Sequence, residues 1–352
     1  MLDTKSWTAE FSSAFKNSNE LKNYLGWNLP TEVDKTYSIF IPRSLADKIK
    51  IQGQHGPLAK QFLPDTLELH QPGLIDPIGD KAYYRAPQLI HRYQTRALFT
   101  PTTICPVHCR YCFRKNELNA QEEMFQADFA QTLSYLKDHP EISEIIFTGG
   151  DPLTVSNEKL EKYLEAFSLI SSIKDVRFHT RFPVILPERL DEGLIELLQR
   201  FSEKFRTLSL AIHVNHASEI DQDSKQRIYA LSRTKIQLLS QTVLLRGVND
   251  STEALVELFD TLIELKVRPY YLHHPDQVKG GLHFYLPLSE GRVLFSQLRD
   301  LIPGWALPHY VIDIPQGHGK VAAFNPESFQ FSGNLIGRKG EVLASPEPEQ
   351  FT

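Results

Sequence analysis

From Arg96 onward the chain alternates short β-rich runs with amphipathic helical stretches, and this alternation limits the possible folds more than any other feature. The β-rich runs are Arg96–Thr102, Glu144–Phe147, Val176–Thr180, Thr207–Val214, Ile236–Leu244 and Val267–Leu272. Between them the spacing predicts helices over Gln121–Asp138, Asn157–Ile170, Leu186–Phe201, Ser218–Arg233 and Ser251–Glu264. Leu160, Tyr163, Leu164 and Phe167 fall at i, i+3, i+4 and i+7, one helix face, and Leu255, Leu258, Phe259 and Leu262 repeat that spacing. Six βα units in a row imply a parallel sheet with right-handed crossovers. Six are too few for an eight-stranded barrel, which leaves an open, partial barrel or a doubly wound sheet. A helix at Leu288–Leu301 and a strand at Ala306–Ile314 follow, then a glycine-bearing loop at Gly317–Lys320. The tail, Ala322–Leu343, reads as short strands with turns at Ser332-Gly333 and Lys339-Gly340. The expected division is a helical and irregular extension over residues 1–90, an α/β body over 91–285 and a C-terminal segment over 286–352.

Charge narrows the function classes. The 38 basic and 43 acidic side chains give a net −5, spread along the sequence, so nothing resembles the basic footprint of a nucleic-acid or anionic-membrane binder. The first residues carry Asp3 and no long apolar core, unlike a signal peptide. No apolar run approaches the roughly 18–20 residues that span a bilayer. A cytoplasmic protein is expected, with neither nucleic acid nor membrane as partner.

The unusual polar residues cluster at or just after the strand ends: Cys105, Gly149-Gly150-Asp151, Arg181, His213, Gln241 and Asp276. In parallel α/β architectures those ends form the ligand-binding face. All three cysteines of the chain, Cys105, Cys109 and Cys112, lie in one loop after the first of these strands. Three thiolates on a tight loop suit soft metals, either an iron–sulfur cluster or zinc with His108 or a remote histidine as fourth ligand.

The CxxxCxxC spacing with Tyr111 before the last cysteine resembles the signature of radical S-adenosylmethionine enzymes. That resemblance implies a [4Fe-4S] cluster on Cys105, Cys109 and Cys112, with S-adenosylmethionine on the open iron. It also implies a six-stranded partial (β/α)6 barrel, in agreement with the strand count. The turn FTGGDPL (Phe147–Leu153) is similar to the family's glycine-rich turn, giving Gly149, Gly150 and Asp151 a place beside the cofactor.

More motifs narrow the family. HRYQTRALFTPTTICPVHCRYCFRK, GGDP, RFHTRFPVILP, HVNH, QTVLLRGVND, HHPD and DIPQGHGK resemble the lysine 2,3-aminomutase family in the same order, over roughly residues 80–320. The resemblance implies a second cofactor, pyridoxal 5′-phosphate, carried by Lys320 with Arg92, Tyr93 and Arg96 against its phosphate and ring. His213 and Gln241 would help hold S-adenosylmethionine. Arg114 would take the substrate α-carboxylate, and Asp276 and Asp313 the distant ε-ammonium of L-lysine. Two carboxylates crowded in a dry pocket raise each other's pKa, and a cationic substrate end relieves that cost. The implied reaction is reductive cleavage of S-adenosylmethionine by the cluster, hydrogen abstraction from C3 of lysine and migration of nitrogen from C2 to C3.

Two departures stand out. No cysteine lies outside 105–112, so the structural zinc of long-form family members has no ligands here, and the QGHGK loop carries His318 where family loops are richer in glycine. A short, zinc-less member resembles the bacterial enzyme that makes (R)-β-lysine for elongation factor P. The implied partners are an electron donor for the cluster and a lysyl-tRNA-synthetase-like ligase acting on elongation factor P. The alternatives are a general amino-acid 2,3-aminomutase supplying osmolytes or natural products, and a non-catalytic iron–sulfur protein.

Overall fold

Parallel strands buried on both faces need nearly continuous apolar sequence, and TLSLAIH (Thr207–His213) is buried at every position except its two ends. The computed structural model describes residues 6–69, 72–117, 128–324, 334–336 and 342–344. Among these, one ten-stranded sheet runs in sequential order. Its strands are β1 (Tyr84–Ala86), β2 (Leu89–Tyr93), β3 (Arg96–Thr102), β4 (Glu144–Gly149) and β5 (Asp175–Thr180), then β6 (Thr207–His213), β7 (Gln237–Val243), β8 (Arg268–His273), β9 (His309–Ile314) and β10 (Gly319–Ala322). The ladder from β3 to β9 is parallel throughout, while β1, β2 and β10 pair antiparallel at its edges.

The six expected strands are therefore present in order, and the parallel ladder goes one strand further, because the strand read at Ala306–Ile314 joins it as β9. The extension read as helical and irregular over residues 1–90 contains β1 and the start of β2, and the HRYxxR motif sits on the β2–β3 hairpin. Among the described residues no ladder joins the sheet's two outer edges. They meet through side chains: the Lys320 backbone N–H donates to the Tyr93 hydroxyl at 2.8 Å, and the Tyr83 hydroxyl donates to the Gly317 carbonyl at 3.1 Å. The architecture is an α/β partial barrel whose seam is closed by side chains.

The helices pack outside the sheet on the faces read from their spacing. Asn157–Ser168 starts on Ser156, whose side chain accepts from the Lys159 N–H, and buries Leu160, Tyr163, Leu164 and Phe167. Thr252–Glu264 starts on Ser251 in the same way and buries Leu255, Leu258, Phe259 and Leu262. Two helices begin later than the spacing predicts. The helix expected from Leu186 begins at Glu192, because Pro187 opens a separate 3-10 turn and the Asp191 carboxylate caps the Leu194 N–H. That expected from Ser218 begins at Gln222, on the Asp221 cap. The helix expected from Gln121 is described over Phe129–Asp138, its earlier residues lying outside the described ones. In the tail, Asn334–Ile336 and Val342–Ala344 pair antiparallel, and the turns read at Ser332-Gly333 and Lys339-Gly340 lie outside the described residues.

The N-terminal helices share the core of the barrel through Leu21, Leu45, Ile49, Leu58 and Phe62. They also back the cysteine loop: the His108 N–H donates to Phe40 O and the Arg110 N–H to Gln61 O, each at 2.9 Å. A buried carboxylate, Glu68, takes the Arg110 guanidinium at 2.6 Å and the Lys115 ammonium at 2.7 Å. Burial pushes the Glu68 carboxyl up, but these two cations outweigh it and hold its pKa below the usual value.

Candidate active site

One cavity of about 310 Å³ is enclosed by the curl of the sheet and lined from β2 round to β10. The candidate cofactor, cluster and substrate residues all line it: Arg92, Tyr93 and Arg96, the three cysteines, Arg114, Gly149 to Asp151, His213, Gln241, Asp276, Asp313 and Lys320. His108, the candidate fourth zinc ligand, does not, its Nδ1 lying 3.1 Å from Ser38 O. The convergence follows from strand geometry, since alternate residues of each strand face inward and the strand-end loops fold over the same opening.

The cysteine loop is locked to the end of β4. Gly150 N–H donates to Thr102 O and Asp151 N–H to Ile104 O, each at 2.8 Å. A Cβ on Gly150 would fall 2.5 Å from the Thr103 carbonyl carbon and 2.6 Å from the Ile104 nitrogen, so only glycine lets the loop lie this close. The Asp151 carboxylate is spent internally, accepting from Thr180 Oγ1 at 2.9 Å, from the Arg181 N–H at 2.6 Å and from the Leu153 N–H at 3.1 Å. Burial nevertheless pushes its pKa up to about 6. The Gly-Gly-Asp turn thus builds the wall on which the cysteines rest.

Burial raises the pKa of all three thiols, that of Cys112 to about 12; neighbouring thiolates add to the cost at Cys105 and Cys112, whereas the Arg181 charge opposes it at Cys109. Such a set is relieved by a soft cationic centre that deprotonates it. Among the described residues no three His, Cys, Asp or Glu side chains converge on a single-ion cage. An iron–sulfur cluster spreads its thiolates over separate irons and asks only that they face one cavity, as these do. Beside them the His213 Nε2 hydrogen-bonds with the Tyr111 hydroxyl at 2.8 Å, the two rings stacked 5.8 Å apart. Gln241 Nε2 lies 2.9 Å from His179 Nε2. Burial holds both histidines well below their ordinary pKa, hence neutral.

Elsewhere in the cavity the charges are denser. Lys320 Nζ lies 3.1 Å from Asp313 Oδ2 and 3.2 Å from His273 Nδ1. Burial first, and the Asp313 carboxylate second, push the Asp276 carboxyl up to about 8. Arg92 and Arg114 both grip Asp80, a buried residue, and Arg114 also meets Glu117 at 3.3 Å. Among the described residues, the buried Nε–H of each of these arginines has no partner. The Arg96 guanidinium stacks 3.9 Å over the Tyr93 ring.

Several lining residues were not assigned a role from sequence. Arg177 and His179 face inward at alternate positions of β5, and Arg181 continues the alternation just past the strand's end, a signal that RFHTR does contain. His273 sits in HHPD, a motif read only for its aspartate. Asp80 lies in an irregular segment, and nothing in the sequence marks it as the shared partner of two arginines.

Three thiols at the carboxyl-end rim of a curled parallel sheet face a largely apolar cavity with charged groups set into it, and the Radical SAM superfamily model matches residues 99–259, which makes the chain a radical S-adenosylmethionine enzyme. The chain belongs, more narrowly, to the lysine 2,3-aminomutase family, whose members are isomerases. It is 33% identical to the L-lysine 2,3-aminomutase of Escherichia coli K12 over 88% of this chain and 91% of that one. The enzymes of the same name from Buchnera aphidicola and Clostridium subterminale are 31% and 30% identical, over 90% and 99% of this chain and 94% and 86% of theirs. Among solved structures, Streptococcus suis SuiB bound to S-adenosylmethionine aligns with a TM-score of 0.48 at 17% identity, over 64% of this chain and 52% of that one.

Proposed function

We propose that the chain interconverts L-lysine and (R)-β-lysine, moving nitrogen from C2 to C3 while a hydrogen passes from C3 to C2. The observation that carries this reading is the occurrence of Asp276 and Asp313 in the same cavity as the three cysteines and Lys320. A ligand-free pocket keeps the Asp276 carboxyl protonated and Asp313 paired to the chain's own lysine. An incoming ε-ammonium would replace that lysine as the counter-ion and let Asp276 ionise, whereas the side chain of glutamate would bring a further negative charge beside Asp313. Arg114, with its unpartnered Nε–H, would receive the α-carboxylate.

Lys320 fits the attachment point for pyridoxal phosphate, because its amine is partly exposed to the cavity with Tyr93, Arg96 and Arg177 around the same space. When bound, that group supplies an electron sink at the substrate nitrogen, and the cluster with S-adenosylmethionine supplies the radical. The chain's own residues orient and exclude. His213 and Gln241 present neutral polar faces to the cavity, and Leu245 and Phe284, packed with Tyr111 and Cys109, keep the space beside the cysteines apolar. Holding one hydrogen in reach and water out is the protein's share of such chemistry.

The test is anaerobic reconstitution with S-adenosylmethionine, pyridoxal phosphate, a reductant and a mixture of L-lysine and L-glutamate, followed by chiral chromatography. β-Lysine alone supports the reading. β-Glutamate would retain the chemistry and overturn the pocket assignment, and 5′-deoxyadenosine without either product would point to another substrate. The wider role we infer is cytoplasmic: an electron donor reduces the cluster, and the product passes to a lysyl-tRNA-synthetase-like ligase that modifies elongation factor P. The confinement of cysteines to residues 105–112, as in the short form, supports this role. Loss of the gene should then remove the β-lysyl mass from elongation factor P.

A further inference from the structure

We propose that Arg181 is a positioning residue for the cluster, raising its reduction potential through a hydrogen bond to the Cys109 sulfur. The inference rests on the reading of Cys105, Cys109 and Cys112 as cluster ligands. Arg181 is the first residue past β5 and is only 5% exposed. Its Nη1 donates to Cys109 Sγ at 3.2 Å and to the Tyr111 hydroxyl. Its Nη2 donates to Gln61 Oε1 at 3.0 Å and to Glu219 Oε2 at 2.6 Å.

The acceptors are themselves fixed. Glu219 Oε1 receives the backbone N–H groups of Asn215 and His216 at 2.8 and 3.0 Å, and the Gln61 side-chain amide at 3.1 Å. Gln61 Oε1 also receives Asn215 Nδ2 at 3.0 Å. With partners on the cysteine loop, the N-terminal extension and the turn after β6, the guanidinium plane has one orientation, and that orientation aims one end at the sulfur. The Phe62 ring, 4.8 Å from the guanidinium carbon, closes that side to water.

The sign follows from charge. The reduced cluster carries one more electron than the oxidised one, so a fixed cation at hydrogen-bond distance from a ligating sulfur stabilises the reduced state more. Glu219 opposes this from the far nitrogen, at greater distance from the sulfur, so the near Nη1 dominates. The same Nη1 holds the Tyr111 hydroxyl, which meets His213, so one guanidinium ties a cluster ligand to the His213 rim.

The experiment compares anaerobically reconstituted wild type with Arg181→Gln, Arg181→Lys and the double variant Arg181→Gln/Glu219→Gln, in which no buried carboxylate is left unpaired. Iron and sulfide analysis establishes cluster content, and redox titration followed by electron paramagnetic resonance gives the midpoint. Arg181→Gln is expected to lower the reduced-to-oxidised ratio at fixed potential about tenfold, a negative shift of about 59 mV for a one-electron couple. The double variant should shift in the same direction, and Arg181→Lys should recover part of the difference. An unchanged midpoint in variants with wild-type iron and sulfide overturns the proposal. So do variants that melt as cooperatively as wild type yet hold no cluster, since Arg181 would then serve assembly. A wild type that assembles no cluster overturns the underlying reading as well, and the metal analysis tells the two failures apart.

Discussion

Lys320 and Asp313 are register partners across the antiparallel β9–β10 ladder, and the ammonium of one lies 3.1 Å from the carboxylate of the other. Placing the two on adjacent strands means that Lys320 can leave Asp313 by side-chain rotation alone, without backbone movement. Lys320→Arg should keep the ion pair and an unfolding free energy within about 1 kcal/mol of wild type. It should nevertheless abolish the pyridoxyl adduct fixed at position 320 by borohydride, read by peptide mass spectrometry. An adduct elsewhere in the variant, at wild-type yield, would remove Lys320 from its assigned role.

Asp276 makes stability depend on pH in a stated direction. Its folded pKa, about 8, stands above the ordinary 3.8. The folded chain therefore keeps a proton that the unfolded chain releases, and this contribution is complete below about pH 4 and lost as pH climbs through about 8. Asp276→Asn removes the dependence. Ligand-free wild type should lose stability relative to the variant between pH 5 and 8, on the order of a few kcal/mol, and the difference should level off above. Parallel urea titrations that stay equally spaced across that range would refute the assignment.

Gly150 sets how closely the cysteine loop approaches β4. Gly150→Ala drives a methyl group into the backbone of Thr103 and Ile104, at a cost of roughly 1–3 kcal/mol. The loop should move before the barrel does, so iron content after reconstitution should fall further than the melting temperature suggests.

Asp80 is the carboxylate shared by Arg92 and Arg114. Asp80→Asn leaves two buried guanidinium groups short of their counter-charge and should destabilise the chain by about 3–5 kcal/mol. Phosphate in the buffer should recover part of that loss if the two guanidinium groups are open to an anion from the cavity. A variant as stable as wild type would show that the two arginines find other acceptors.

How far the sequence foretold these features depends on range. Helix faces such as Leu160 to Phe167 were legible because periodicity is local, and the rim residues because they sit at strand ends. The seventh parallel strand was present in the reading as an element, but its partner was not, since register is decided by contacts such as Tyr271 with His309 that no local pattern records. The HRYxxR hairpin was missed because the five residues of β2 are too few for a period to emerge. Arg181 was noticed as an unusual polar residue, yet its partners Gln61, Cys109 and Glu219 are separated by 120, 72 and 38 positions. Asp80 carried no sign at all, because its role exists only once two distant arginines are brought to it.

The seam between Tyr93 and Lys320 has a mechanical consequence. A barrel shut by backbone pairing must sacrifice a row of hydrogen bonds to admit a guest, and it cannot do so piecemeal. Here two phenol hydroxyls hold the seam, that of Tyr93 on the Lys320 N–H and that of Tyr83 on the Gly317 carbonyl just before the strand. Parting at that point leaves every ladder intact, so the sheet behaves as a clasp with its catch at the lysine. A guest that attaches to Lys320 while touching Tyr93 would bridge the catch from both sides, making the loaded protein stiffer there.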